Sequence, residues 1–359
     1  MLKKYIVPIL ALLAFLSLAS FAQEEGLQTE EKRAGITQLK EAVSKLSVGM
    51  TWDEVVRQLG EPKFVTHASA YIPFYLFADG QSLTLNFDGQ NKLFAAYNKD
   101  RFDLLLKEYT AKVTNISVLV DGEDVLFSNP ILTINGKIYL SVEELNGVLP
   151  VYVTFNEVMQ QLEFITTDTP ITIGFTTKTM QAPINKIPPD YITTIVPITR
   201  EKKNKGIAQM KEAVGKLSAD MTIAELQLLL VFIPHKDIGS GAFIYIYSFP
   251  GGETLNFSFV SAEEKLSDLR NKSGINLLAT EFTATVEGFP VFVDGEEIVV
   301  SNPVVTIDKS RYADFQHLPA TYVPIEDFAE YLGVKVIFNT EKQLLEIVIG
   351  NTGNSAIPE

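Results

Sequence analysis

The chain of 359 residues contains no cysteine, one tryptophan and only three histidines. The missing cysteines exclude disulfides, thiolate nucleophiles, thiolate metal sites and lipid attachment at an N-terminal cysteine. His67, His235 and His317 stand far apart, with no His-x-His pair to seed a metal site. Positive charge is also scarce. Thirty Lys and Arg face 44 Asp and Glu, for a net charge of −14 that becomes −16 once Lys3 and Lys4 are removed. Such a surface repels nucleic-acid phosphate and anionic lipid headgroups, leaving small-molecule, protein or cell-wall partners. Serine catalysis lacks a Gly-x-Ser-x-Gly elbow.

Long apolar runs are absent but for one. Lys3-Lys4 precede Ile6–Leu18, and Ser20-Phe21-Ala22 offers a small-x-small cleavage site before Gln23. This pattern predicts a signal peptide over residues 1–22, export of the mature chain to the cell envelope or beyond, and no transmembrane segment after its removal.

What is present is present twice. Val118-Leu-Val-Asp-Gly-Glu-Asp-Val-Leu-Phe-Ser-Asn-Pro130 recurs as Val291-Phe-Val-Asp-Gly-Glu-Glu-Ile-Val-Val-Ser-Asn-Pro303. Alternating apolar residues around Asp-Gly predict a β-hairpin, and Ser-Asn-Pro should end its second strand. Gly35-Ile-Thr-Gln-Leu-Lys-Glu-Ala-Val recurs as Gly206-Ile-Ala-Gln-Met-Lys-Glu-Ala-Val, with apolar residues at helical spacing. Thr51-Trp-Asp-Glu54 and Thr222-Ile-Ala-Glu225 are capping boxes opening a second short helix in each copy. Strand-like runs follow, Tyr71–Phe77, Ser82–Phe87 and Lys92–Tyr97 in one copy, Phe243–Phe249 and Glu253–Val260 in the other. After each hairpin come two strands, a short helix and a closing hairpin.

The predicted class is therefore α+β, a duplicated pair: a helix–helix–antiparallel meander module, then a small hairpin-rich module. The expected boundaries are a flexible leader over 23–34, modules over 35–112 and 113–167, a linker over 168–205, modules over 206–286 and 287–350, and a tail over 351–359.

The segment from Leu46-Ser-Val-Gly-Met-Thr-Trp-Asp-Glu-Val55 through Leu59-Gly-Glu-Pro62 resembles the β-lactamase-inhibitor-like fold, shared with small outer-membrane-assembly lipoproteins. Val-Asp-Gly-Glu, Ser-Asn-Pro, Tyr322-Val-Pro-Ile-Glu-Asp-Phe328 and Leu332-Gly333 resemble the copper amine oxidase N-terminal-like (stalk) domain of exported proteins from Gram-positive bacteria. The second copy departs from the first pattern at Asp220 and Val231, the first copy from the second at Ser141 and Pro150. Both resemblances imply accessory, partner- or wall-contacting units with no copper, metal or cofactor.

Two clusters invite a site. Carboxylates gather at Asp121, Glu123, Asp124, Asp294, Glu296 and Glu297, where the turn alone accounts for Asp-Gly and the spacing fits no calcium loop. Aromatic rings alternate along the meander strands, with Tyr71, Tyr75 and Phe77 on one face in the first copy and Phe243, Tyr245, Tyr247 and Phe249 in the second. One face of such a sheet is buried; the rings form either that buried face or an open, Tyr-rich face that meets a partner. These rings, at Tyr71, Tyr75, Phe77, Phe243, Tyr245 and Tyr247, are the candidate partner-binding residues. The expected activity is non-enzymatic binding or scaffolding of protein or cell-wall polymer. A protein inhibitor of a secreted hydrolase, or an envelope hydrolase using an unrecognised carboxylate pair, is the alternative.

Overall fold

The computed structural model describes residues 30–66, 72–156, 161–167, 200–230, 237–239, 242–260, 265–307 and 320–350. Residues 1–22, read as a signal peptide, the expected tail over 351–359, residues 168–199 and all three histidines lie outside these. Both helices and many strands are present, a mixed α+β chain. By contacts it divides into two units, residues 1–107 with 298–302, and the remainder.

In the first unit, helix α1 covers 30–44 and α2 covers Trp52–Leu59. Thr51 accepts from the Glu54 amide while the Glu54 carboxylate accepts from the Thr51 amide at 2.7 Å, closing the capping box expected there. Four antiparallel strands follow in sequence order, β1 (Phe64–Thr66), β2 (Ile72–Leu76), β3 (Ser82–Phe87) and β4 (Leu93–Asn98). Leu39, Ala42, Leu46, Val55, Leu83, Leu85 and Leu93 form the core between helices and sheet. Residues 30–33, read from sequence as leader, are helical, so Gly35 lies inside α1. A Cβ on Gly35 would lie 2.0 Å from the carbonyl oxygen of Ala78, so glycine here permits the close approach of helix and turn.

The same order occurs in the second unit. Helices α4 (Arg200–Val214) and α5 (Ile223–Leu229) precede the sheet β12 (Asp237–Gly239), β13 (Ala242–Ser248), β14 (Thr254–Val260) and β15 (Leu266–Asn271). Its core is Met210, Leu226, Leu255, Phe257, Phe259, Leu266 and Leu269. Residues 200–205, assigned from sequence to a linker over 168–205, are helical; residues 168–199 lie outside the described residues. Gly206 lies inside α4, its absent Cβ 1.6 Å from the carbonyl oxygen of Pro250.

The rest of the second unit departs from the expected pair of separate hairpin modules. From the first half come β5 (Glu108–Thr114), β6 (Ser117–Val120), β7 (Glu123–Val125), β8 (Ile131–Ile134), β9 (Lys137–Ser141), α3 (Val142–Val148), β10 (Val151–Asn156) and β11 (Gln161–Thr166). From the second come β16 (Glu281–Val286), β17 (Val291–Val293), β18 (Glu296–Ile298), β19 (Val305–Ile307), β20 (Ala320–Pro324), α6 (Ile325–Phe328), β21 (Val334–Asn339) and β22 (Leu344–Ile349). A closed six-stranded barrel takes β5, β8 and β9 from one half and β16, β19 and β20 from the other. Strands β5 and β16, placed by the sequence reading mainly in the meander modules, therefore belong to the barrel.

The hairpins are exchanged as well. Strand β6 pairs in parallel with β22, with Leu345 opposite Val118, and β17 pairs in parallel with β11, with Phe164 opposite Val293. Each Asp-Gly turn takes the expected left-handed pair of residues, Asp121 (φ 52°) with Gly122 (φ 79°) and Asp294 (φ 50°) with Gly295 (φ 81°). Each aspartate also reaches the other half: Asp121 Oδ1 accepts from the amide of Ile349 at 2.8 Å, and Asp294 Oδ1 from that of Thr166 at 2.7 Å. The physical reason two modules become one unit is that neither half has enough strands to close a barrel alone. Buried Tyr139 donates from its hydroxyl to the carbonyl oxygen of Pro303, and Tyr322 to that of Pro130, both at 3.1 Å.

Free sheet edges carry guards. Exposed Glu123, Asp124, Glu296 and Glu297 line β7 and β18, which accounts for the carboxylate clusters. Lys335 guards β21. On β10, the Asn146 side chain donates to the carbonyl oxygen of Val153 at 3.2 Å and accepts from its amide, occupying the edge as a strand would.

Candidate functional site

The candidate rings split by position. Tyr71 lies outside the described residues, and of Phe243 the strand position alone is described. Tyr75 is 6 % exposed and belongs to the core of the first unit, with Phe77 packed against it. Its hydroxyl donates to the carbonyl oxygen of Gly60 at 3.0 Å, at the C-terminal end of α2. Burial, with the Glu61 charge adding to it, pushes this phenol up to about 12. Tyr245, Tyr247 and Phe249 are half-buried against the core of the second meander. Tyr245 meets Phe259 edge-on at 5.5 Å, and Tyr247 meets Phe249 at 4.7 Å. These rings therefore face the helices. Strand alternation identifies two faces; the helices bury the one bearing the tyrosines because the rings supply core area, and at Tyr75 the hydroxyl also finds a helix-end carbonyl.

Where Tyr75 and Phe77 reach light at all, they line a cleft of about 220 Å³ with Gln38, Glu41, Ala42 and Lys45 of α1 and Gln58 and Leu59 of α2. The floor is apolar and the rim polar. This volume is below the roughly 300 Å³ at which small-molecule sites begin, and is suited to one side chain of a larger partner.

The opposite face of the first sheet is the one sequence reasoning passed over. Phe74, Thr84 and Tyr97 lie in register across β2, β3 and β4, on the side away from Tyr75 and Leu83. Ile72, Phe74 and Tyr97 are half-exposed, Leu76 is 41 % exposed, and Phe94, at the bulge in β4, is 49 % exposed. The signal was available: Ile72, Phe74 and Leu76 alternate with Pro73, Tyr75 and Phe77, an apolar residue at every position of an antiparallel strand. The corresponding face of the second sheet differs. There Ile246 stands opposite Asn256, which stands opposite Arg270, and Arg270 is paired with Asp268. The outward faces of the two sheets are thus chemically unlike.

Among the described residues no three His, Asp or Glu side chains are grouped to hold a metal ion, and no helix is long and apolar enough to cross a membrane. The buried acids serve the fold. Glu144, on α3, accepts from the amides of Ser128 and Asn129 at 2.8 and 2.9 Å, with the Lys203 ammonium 3.5 Å away. Gly147 leaves the space for that ammonium, since a Cβ there would sit 2.8 Å from it.

Ser-Asn-Pro does more than stop a strand. Asn98 is 3 % exposed; its amide donates to the carbonyl oxygen of Ser301 and to Asn302 Oδ1, both at 3.1 Å, while its Oδ1 accepts from the amides of Asp100 and Phe102. Asn271, fully buried, does the same with Ser128 and Asn129 at 3.0 and 2.7 Å and with the amides of Ser273 and Ile275. Each meander thereby holds the Ser-Asn-Pro segment of the opposite half. No family model, no curated protein and no solved structure matches this chain.

Proposed function

We propose that this chain is an exported, non-enzymatic binding or scaffold protein of the cell envelope or extracellular space, built as a duplicated pair of meander and hairpin-rich segments. The first meander sheet docks a protein partner. One observation carries this reading: the outward face of that sheet exposes Leu76 and Phe94 beside half-exposed Ile72, Phe74 and Tyr97. Clustered apolar groups on an exposed face, rich in aromatic rings, fit a protein interface better than a solvated surface. The resemblance of this segment to an inhibitor-like fold, which meets partners with its sheet, supports the same use. Export rests on the Lys3-Lys4, Ile6–Leu18 and Ser20–Ala22 pattern.

The test compares two sets of substitutions. Leu76→Ser with Phe94→Ser removes exposed apolar area and should leave melting nearly unchanged, while association with a partner captured from the producing cell's envelope falls at least tenfold. Tyr75→Ala should instead unfold the module. Full association by the Leu76/Phe94 double variant would refute the site. Turnover of peptidoglycan or glycan, lost on replacing one Asp or Glu, would refute the non-enzymatic reading.

A further inference from the structure

We propose that the barrel can be closed by a second copy of the chain, so that two molecules exchange halves and form an interlocked dimer. The observation is reciprocal exchange inside one molecule. Each half contributes three of the six barrel strands, gives away one hairpin and accepts the other. Every pairing between halves therefore presents a surface that a second molecule carries identically. The hairpins are held by parallel ladders, by the Asp121 and Asp294 clamps and by the Tyr139 and Tyr322 hydroxyls. None of these contacts depends on which chain supplies the partner strand. The described contacts between the halves are the same whether one chain or two supply them.

Connection within one chain holds the halves at an effective concentration on the order of millimolar. Self-closure therefore dominates in dilute solution, and exchange between chains competes when folding takes place near that concentration. Once formed, the dimer is released only by opening the barrel, so it should survive dilution.

The absence of native cysteine makes the test clean. Leu119 and Glu346 are opposite each other across the parallel β6–β22 ladder, and both are half-exposed. The mature chain carrying Leu119→Cys and Glu346→Cys together, refolded at micromolar concentration and oxidised, should form an internal disulfide. Two singly substituted chains, one with each cysteine, are then unfolded, mixed and refolded at millimolar and at micromolar concentration. The expected result is a disulfide-linked dimer of two different chains, at least tenfold more abundant after millimolar refolding, that persists on hundredfold dilution under non-reducing conditions. Internal closure of the double variant without any mixed dimer at millimolar concentration would overturn the proposal. Failure of the double variant to close would overturn the β6–β22 register on which it rests.

Discussion

Replacing Asn98 by alanine should release the 298–302 segment from the first meander. Four hydrogen bonds are lost, two given at 3.1 Å to Ser301 and Asn302 and two accepted at 3.0 and 2.9 Å from Asp100 and Phe102. At about 1 kcal/mol net for each, the loss is about 4 kcal/mol, tempered where water reaches the half-buried Asp100 amide. Asn302→Ala removes one acceptor from this set, together with its own donation to Asp100 at 3.2 Å, and should cost about half as much. Trp52 is the one tryptophan of the chain and lies in this unit, meeting Phe87 edge-on at 5.7 Å. Its fluorescence therefore reports the unit's urea transition directly. With a slope near 1 kcal/mol per molar urea, suited to a small domain, Asn98→Ala should lower the midpoint by roughly 4 M or abolish the transition. Asn302→Ala should lower it by roughly 2 M on the same slope. A shift below about 1 M for Asn98→Ala, with unchanged slope, would refute the reasoning and leave Ser-Asn-Pro as a strand stop alone.

Two further outcomes follow from named atoms. Gly206→Ala puts a Cβ against the Pro250 carbonyl, and should cost at least the roughly 3 kcal/mol of severe overpacking, whereas Gly215→Ala, with nothing nearer than 3.5 Å, should be neutral in thermal melts. Tyr322 is buried with its pKa raised well above 10, chiefly by burial, with Glu144 and Glu143 adding to it. Its contribution is full below the unfolded value near 10 and is lost as pH rises towards the folded one. Stability measured by urea midpoint should fall above about pH 10, and Tyr322→Phe should flatten that fall while costing about 1–3 kcal/mol at pH 7 by orphaning the Pro130 oxygen.

The sequence disclosed what depends on near neighbours. Thr51 and Glu54, like Thr222 and Glu225, are three residues apart, and both boxes close as their spacing predicts. Asp-Gly fixes its own turn through φ alone. Which strand a hairpin joins was not legible, because two nearly identical hairpins present the same pattern to β11 and β22. Why glycine stands at Gly35 and Gly206 was not legible, since the reason, a carbonyl from a distant turn, is absent from the local stretch. Tyrosine alternation showed that the meander strands have two unlike faces, while the choice between them was made by the helices. Asp121 and Asp294 read only as turn residues; the amides they accept from belong to the opposite half.

Exchange of the hairpins also sets a clock. Asp121 and the Ile349 amide it accepts from are separated by 228 residues, so a chain made from its N-terminus has formed β6 long before its partner strand exists. At ordinary synthesis rates the delay is roughly 10–45 s, long against the microseconds in which a hairpin forms. Throughout that interval Val118 and Val120, buried in the finished protein, have no β22 to cover them, and half of the barrel stands open. The first half therefore matures only with the last strand, and a chain stopped anywhere before Leu344 presents an unpaired edge to whatever holds, degrades or joins it.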